Sequence, residues 1–219
     1  VPAGRGTSIA WIDYPVNQGT QEILVKVKWN TDNLTDHGPV LRRAGSNSYY
    51  YLRIQDYYHE AAIAVNANGS IYELNRASTI ALNRDQWYWV RFRADATGLH
   101  ARIWSDGSAE PSTWTVESGY FDGSNPPGSG DFGYYTRGAS ASYSVYLDTL
   151  YWYTLEDTEP APPINDTFSR NVDKGWGWST SGHLWEGNLA DDPTYYALQG
   201  QGTVNSAGYA ELVTANSGT

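Results

Sequence analysis

Tyrosines are the side chains in this sequence whose type and spacing point most directly to binding chemistry. A flat ring can stack on a pyranose while neighbouring polar groups bond its hydroxyls, so clustered tyrosines are candidates for a glycan platform. The candidates are Tyr49, Tyr50, Tyr51, Tyr57, Tyr58, Tyr134 and Tyr135. Five of them lie in or just after one β-rich run, where successive side chains alternate between faces, so some must point away from the core. Two alternatives stay open: a subunit interface, or aromatic pairing across strands.

The other residues that could carry chemistry form no recognisable catalytic arrangement. The histidines show neither His-x-x-x-His spacing nor a nearby serine-nucleophile signature, and we interpret them as structural or solvent-exposed. They are His37, His59, His100 and His183. The chain has no cysteine, which excludes disulfides, zinc-thiolate sites and thiol nucleophiles.

The charge balance excludes two classes of partner. With 24 acidic and 14 basic residues, the formal net charge is -10. Nucleic-acid binding requires clustered Lys and Arg, and here the basic residues are dispersed. No apolar run approaches the roughly 20 residues that a membrane helix needs, so we expect a soluble chain without membrane insertion.

Short β-rich runs bounded by Gly, Asn, Asp and Pro recur along the chain, and no 12-residue window has the apolar period of a helix. The sequence therefore predicts an all-β protein. Asn66–Gly69 and Asp95–Gly98 are predicted hairpin turns, the first because Asn-Gly tolerates positive φ. The clearest predicted strands are Glu22–Trp29, Ser48–Gln55, Ala61–Val65, Ser70–Leu74, Trp87–Ala94, His100–Trp104 and Ser142–Tyr153. Four more are expected near Asp166–Arg170, Leu184–Glu186, Tyr195–Leu198 and Gly208–Val213.

Two irregular stretches organise the chain. Ser118–Gly133 is rich in Gly, Ser and Pro and is predicted to be a long loop at a sheet rim. Residues 156–165 (EDTEPAPPIN) have the composition of an extended linker between 1–155 and 166–219. The last 54 residues can hardly bury a core alone. They look like the opening of a sandwich, whereas residues 1–155 look like a sandwich that lacks its opening strands.

The segment Asp166–Trp185 (DTFSRNVDKGWGWSTSGHLW) contains Asp-x-Phe-x-Arg, Gly-Trp-Gly and Gly-x-x-Trp in succession. It resembles the opening of a concanavalin-like, laminin G-like jelly-roll module found in actinobacterial surface proteins and phage minor tail proteins. Ala101–Val116 and Val145–Tyr153 are similar to the later hairpin and closing strand of the same modules. The resemblance implies an antiparallel jelly-roll β-sandwich.

The resembling blocks stand in the reverse of the family's order, so the chain reads as a circularly shifted module. Three origins stay open: a segment of a tandem array, a true permutant, or a subunit that lends residues 166–219 to its neighbour. The third origin would join copies into a polymer by strand exchange.

The resemblance also implies calcium, since related jelly rolls often tie their first and last strands with an oxygen-ligated ion. Asp148 and Asp166 would be the candidate ligands, unless both carboxylates cap strands or accept backbone hydrogen bonds. Asp32 and Asp36 form a second candidate pair. A glucanase on such a fold would carry carboxylates one residue apart on a strand, and no Glu-x-Asp-x-Glu cluster is present.

The sequence therefore predicts a non-enzymatic structural and adhesive module of an extracellular fibre or a phage tail fibre. Its partners would be copies of itself, assembled by β-strand complementation. The alternative is a carbohydrate-binding module that docks a larger protein or a virion to cell-surface polysaccharide. Both predictions place the chain outside the cell, on the cell surface or on the virion.

Overall fold

The computed structural model describes residues 6–12, 20–30, 36–124, 127–138, 143–154, 164–168, 185–187, 201–204 and 210–214. These residues contain no helix, and hence none that could cross a membrane. The strands in chain order are β1 Gly6–Ile12, β2 Gln21–Trp29, β3 Asp36–Gly45, β4 Ser48–Gln55, β5 Glu60–Ala67, β6 Ser70–Ser78, β7 Tyr88–Asp95, β8 Gly98–Ser105, β9 Val116–Ser118, β10 Asp131–Gly138, β11 Tyr143–Thr154, β12 Ile164–Asp166, β13 Trp185–Gly187, β14 Gln201–Val204 and β15 Ala210–Thr214.

The strands form two sheets that pack face to face. The seven-stranded sheet has the order β13-β1-β10-β3-β4-β5-β6. The eight-stranded sheet has the order β14-β15-β11-β2-β7-β8-β9, and β12 also pairs with β11. Every pairing is antiparallel. The predicted all-β, antiparallel jelly-roll sandwich is therefore confirmed.

The main core lies between the sheets and follows from period-2 alternation. In β2 and β7, buried and half-buried side chains alternate along the strand, because successive residues point to opposite faces. Phe132 of β10 and Trp152 of β11 stack across the core, with ring centroids 4.9 Å apart and an interplanar angle of 9°. Each sheet thus turns one face inward. The outer face of the eight-stranded sheet carries half-buried side chains in β2 and β7, whereas that of the seven-stranded sheet also holds a second buried cluster that includes Val40, Tyr51 and Tyr135.

The predicted hairpins are confirmed. Asn68 and Gly69 have φ of 53° and 88°, which is the left-handed backbone that Asn-Gly turns require. The Asn66 side-chain oxygen accepts a hydrogen bond from the Gly69 amide at 2.8 Å. Asp95 pairs with Gly98 across the second turn. The seven clearest predicted strands all overlap strands of the structure. Of the four others, three overlap β12, β13 and β15, and Tyr195–Leu198 lies outside the described residues.

Strands β1, β3, β9, β10 and β14 were not predicted. β3 contains Gly-Pro and two arginines, and its pairing with β4 shifts register between Leu41 and Gly45, so it has no clean alternation. A Cβ at Gly38 would collide with the carbonyl of Leu52 on β4, so glycine there permits close strand pairing. β10 begins at Asp131, inside the stretch that composition predicts as loop.

The strands from Ile164 onward join both sheets of the same chain, and β12 includes the last two residues of the predicted linker 156–165. β12 and β15 pair with successive parts of β11, β14 pairs with β15, and β13 pairs with β1. Residues 155–163 lie outside the described residues, and the domain division there remains a prediction. Of the residues that carry the family resemblance at 166–185, the described ones are Asp166, Phe168 and Trp185, and Phe168 is fully buried in the core.

Candidate functional site

Five of the seven candidate tyrosines are buried. Tyr50 and Tyr134 belong to the core between the sheets. Tyr49, Tyr51 and Tyr135 form a second cluster on the opposite face of the seven-stranded sheet. The Tyr51 and Tyr135 rings meet edge to face, with centroids 4.8 Å apart. These five rings pack against protein and present no free face to a ligand, which corresponds to the alternative of aromatic packing.

The remaining two candidates are exposed. Tyr57 and Tyr58 lie in the turn between β4 and β5, with exposed fractions of 57% and 53%. Their rings are perpendicular, with centroids 4.9 Å apart. Of the tyrosines singled out from the sequence, these two are the ones that a ligand in solvent can reach.

Tyr57 stands at the edge of a cleft of about 290 Å³, which we call the rim cleft. Two loops form it: the turn 56–59 between β4 and β5, and the connection 79–87 between β6 and β7. The lining residues are Asp56, Tyr57, His59, Leu82, Asn83 and Arg84. The cleft thus combines an aromatic ring with an imidazole, an amide, a guanidinium and a carboxylate.

The turn 56–59 is fixed by hydrogen bonds to the core. The buried indole of Trp29 donates from Nε1 to Asp56 Oδ2 at 3.0 Å. The other oxygen of Asp56 accepts from the Tyr57 amide at 2.9 Å, and the Asp56 carbonyl accepts from the His59 amide at 3.0 Å. His59 has a φ of 51°, a left-handed conformation that this bonding maintains. The exposed ring of Tyr57 is therefore carried by a rigid turn.

The second loop is attached to the same part of the core. The backbone N–H of Asp85 donates to the Trp29 carbonyl at 2.8 Å, and the backbone N–H of Asn83 donates to the Tyr88 hydroxyl at 2.7 Å. The rings of Trp29 and Tyr88 stack, with centroids 5.2 Å apart and an interplanar angle of 20°. Because both loops bond to this stacked pair, the rim cleft is preorganised, which reduces the entropy cost of binding.

Sequence reasoning missed most of the polar lining of the rim cleft. It interpreted His59 as structural or exposed, and it assigned no role to Asp56, Asn83 or Arg84. His59 and Arg84 are separated by 25 positions in the chain, and only the sheet order brings their loops together. The available signal was local: an Asp followed by two tyrosines and a histidine directly after a strand.

The two candidate calcium ligands make contacts within the protein. Asp148 Oδ2 forms an ion pair with Lys26 Nζ at 3.4 Å. Asp166 is fully buried, and its Oδ1 accepts a hydrogen bond from the Phe168 amide at 2.8 Å. A metal ion at Asp148 would compete with the Lys26 ammonium for the same oxygen, so these contacts do not form a ready calcium site. Calcium remains a prediction from the resemblance.

The second candidate carboxylate pair also fails to form a recognisable metal site. Asp36 is fully buried and bonds to the guanidinium of Arg137 and the amide of Gln55, while Asp32 lies outside the described residues. Within the described part of the chain, no group of three or more His, Asp or Glu side chains gathers where it could hold a metal ion.

No protein-family model matches the chain. No curated protein matches it either. Among solved structures it is similar to carbohydrate-binding module CBM66 from Bacillus subtilis, with 11% identity and a TM-score of 0.40, over 62% of this chain and 73% of that one. It is also similar to CG-16, a homodimeric agglutinin from chicken liver, with 11% identity and a TM-score of 0.41, over 73% of this chain and 99% of that one.

A third similar structure is a xylan β-1,4-xylosidase from Bacillus halodurans C-125. The identity is 16% and the TM-score 0.40, over 59% of this chain, and the match covers 26% of the enzyme. The chain thus spans about a quarter of that enzyme's length. The strand order of this protein itself defines its class, an antiparallel jelly-roll β-sandwich. Structural similarities with identities and TM-scores this low add no argument about function.

Proposed function

We propose that this chain is a non-enzymatic glycan-binding module of an extracellular, cell-surface or virion-surface protein, and that its sugar ligand occupies the rim cleft. The observation that carries the proposal is the exposed ring of Tyr57 beside a polar-lined cleft of about 290 Å³. An aromatic face with hydrogen-bonding groups beside it is the arrangement that recognises a pyranose. The natural partner in this proposal is cell-surface polysaccharide.

The chemistry of the cleft supports binding rather than hydrolysis. A typical glycosidase needs two carboxyl groups that flank the scissile bond. Asp56 is the one carboxylate among the residues that line the cleft, and both its oxygens already accept hydrogen bonds from the chain itself. Its role is therefore to hold the turn that presents Tyr57.

The test is a glycan array followed by titration of the best ligand with Tyr57→Ala. We expect the dissociation constant to rise at least tenfold, which corresponds to about 1.4 kcal/mol of binding free energy. The matched control is Tyr72→Ala, which removes an equally large ring, 45% exposed, from edge strand β6 and away from the cleft. Absence of binding to any sugar, or equal losses in both variants, would overturn the proposal.

A second candidate function is the fibre module, in which copies assemble by β-strand complementation. The observation that favours it is that the strands from Ile164 onward join both sheets: β12 and β15 pair with β11, β13 pairs with β1, and β14 pairs with β15. The same strands could complete a neighbouring copy if the intervening segment crossed to it. Each sheet would then continue from one subunit to the next.

Light scattering over a range of concentrations, with electron microscopy, tests this second function. Strand exchange predicts oligomers or filaments that increase with concentration. It also predicts that deletion of residues 156–160 favours them further, because a shorter connection hinders closure within one chain. Monomers at every concentration for both proteins, with a mass of 24.3 kDa for the full chain, would reject the fibre function. That result would leave the glycan-binding function untouched.

A further inference from the structure

The outer face of the eight-stranded sheet carries a second group of reachable aromatic residues, distant from the candidates chosen from the sequence. Lys26 of β2, Trp89 of β7 and Trp104 of β8 form one cross-strand row. Trp89 and Trp104 are both half-buried, and their rings lie nearly parallel, with centroids 6.5 Å apart and an interplanar angle of 19°. These rings remain partly open to solvent on a face that no other described strand covers.

Polar contacts fix this row in place. Trp89 Nε1 donates to Asp106 Oδ1 at 2.9 Å. Lys26 Nζ lies 3.0 Å from Asp106 Oδ2 and 3.4 Å from Asp148 Oδ2. One indole and three charged groups therefore hold one another in position before any ligand arrives.

A second set of contacts extends the surface toward β11. The Lys28 ammonium lies 4.9 Å from the centre of the Trp87 ring and 5.3 Å from that of Tyr146, both within cation–π range. We call the whole surface the tryptophan platform. It consists of Lys26, Lys28, Trp87, Trp89, Trp104, Asp106, Tyr146 and Asp148.

The platform is electrically neutral. Its two lysines balance its two aspartates, in a chain whose formal net charge is -10. A strongly charged partner would therefore find no complementary excess of charge. Aromatic faces with internally paired polar groups suit a ligand that has apolar ring faces and many uncharged hydroxyls.

The dimensions indicate an elongated ligand. The platform crosses four adjacent strands in the order β11-β2-β7-β8. Three gaps of about 4.8 Å give a width of about 14 Å, longer than one sugar ring. We infer that the tryptophan platform binds a chain of neutral sugars. No platform residue lines the rim cleft, so this site is separate from the one in the proposed function.

Affinity electrophoresis of the full chain in gels that contain soluble neutral polysaccharides tests the inference. Suitable probes are β-glucan, mannan and dextran. For at least one of them, we expect Trp104→Ala to raise the dissociation constant tenfold or more. The matched control is Trp11→Ala, which removes a half-buried tryptophan from the other sheet and should change the constant less than twofold. Trp104→Tyr, which keeps an aromatic ring, should retain most of the binding.

Several outcomes would overturn the inference. They are binding that survives Trp104→Ala, an equal loss in the Trp11 control, or retention only by charged polysaccharides in a salt-sensitive way. If the protein forms a dimer that Trp104→Ala dissociates, the platform is a subunit contact, and the inference that it binds sugars is refuted. The proposed function is tested separately, because Tyr57→Ala should weaken binding at the rim cleft and leave polysaccharide retention by the platform intact. If Trp104→Ala fails to fold, loss of retention by Lys28→Gln supports the inference and full retention refutes it.

Discussion

Protonation of His37 should limit the stability of this fold in mild acid. His37 lies on β3, is 2% exposed, and its Nδ1 is 2.7 Å from the Tyr134 hydroxyl. Its ring centroid is 4.7 Å from that of Trp29. Burial lowers the pKa of His37 to about 3, because a charged imidazole would lose its hydration inside the sandwich. The folded protein therefore holds this histidine neutral.

The sign of the effect follows from the two pKa values. In the unfolded chain the imidazole titrates near its ordinary pKa of about 6.5. Below that pH the imidazole is protonated in the unfolded state and stays neutral in the folded state. Stability is complete above pH 6.5 and is lost as the pH falls toward 3. Each pH unit below 6.5 costs up to about 1.4 kcal/mol, so the loss at pH 5 is about 2 kcal/mol.

Urea unfolding followed by fluorescence of the ten tryptophans measures this loss at pH 7, 6 and 5. We expect His37→Gln to remove most of the difference between pH 7 and pH 5, since glutamine is neutral throughout. The exposed His59 supplies the matched control, and His59→Asn should keep the full loss. Carboxylates whose pKa is lowered, such as Asp106, lose their stabilising effect at more acid pH and add little above pH 5.

Two results would refute this reasoning. One is a wild-type protein whose free energy of unfolding changes by less than about 0.5 kcal/mol between pH 7 and 5, a quarter of the expected loss. The other is a His37→Gln protein that keeps the whole loss. Should that variant not fold, NMR titration of the native histidines decides, because the His37 ring protons should not titrate above pH 5.

Three further predictions concern the strands, the metal and the cleft. Gly38→Ala should destabilise the fold by about 3 kcal/mol in urea unfolding, because the new Cβ collides with a β4 carbonyl; Gly119→Ala, in open space, should not. If calcium binds as the resemblance implies, EDTA should lower the melting temperature and added calcium should restore it; an unchanged melting temperature would indicate that the Lys26 ion pair to Asp148 takes the place of the metal. Trp29→Phe should weaken sugar binding severalfold in titration while Tyr57 stays intact, because the turn loses its indole hydrogen bond; unchanged affinity would show that this bond does not position the cleft.

Strands with strict alternation could be predicted from the sequence, and strands shaped by their neighbours could not. β7 alternates buried and half-buried residues from end to end, and β2 does so from Ile23 onward, so their own composition indicates both strand and inward face. β3 is a strand because β4 and β10 flank it, and its glycine at position 38 is explained by the approach of a β4 carbonyl. The reason for a glycine at this position thus lies on a neighbouring strand and cannot be inferred from the sequence of β3 itself.

The candidate site shows the same division. Residue type indicates that Tyr50 and Tyr57 are both candidates for stacking on a sugar, yet the first is fully buried and the second is 57% exposed. The difference depends on position: Tyr50 points from β4 into the core, whereas Tyr57 lies beyond the strand's end in a turn. The tryptophan platform was missed for a related reason, since three strands and a loop must meet before its indoles and lysines form one surface.

Trp29 connects the stability of the fold to the geometry of the rim cleft. Its ring is buried between the sheets, stacked on Tyr88 and close to His37. Its indole nitrogen and its carbonyl hold the two loops that form the cleft. Any substitution that loosens the core at this end should therefore disturb the cleft before the whole sandwich unfolds, because both loops depend on this one side of the core. Sugar affinity at the rim cleft should accordingly fall in such a variant, whereas the tryptophan platform, held by its own contacts on the outer face, should be less sensitive.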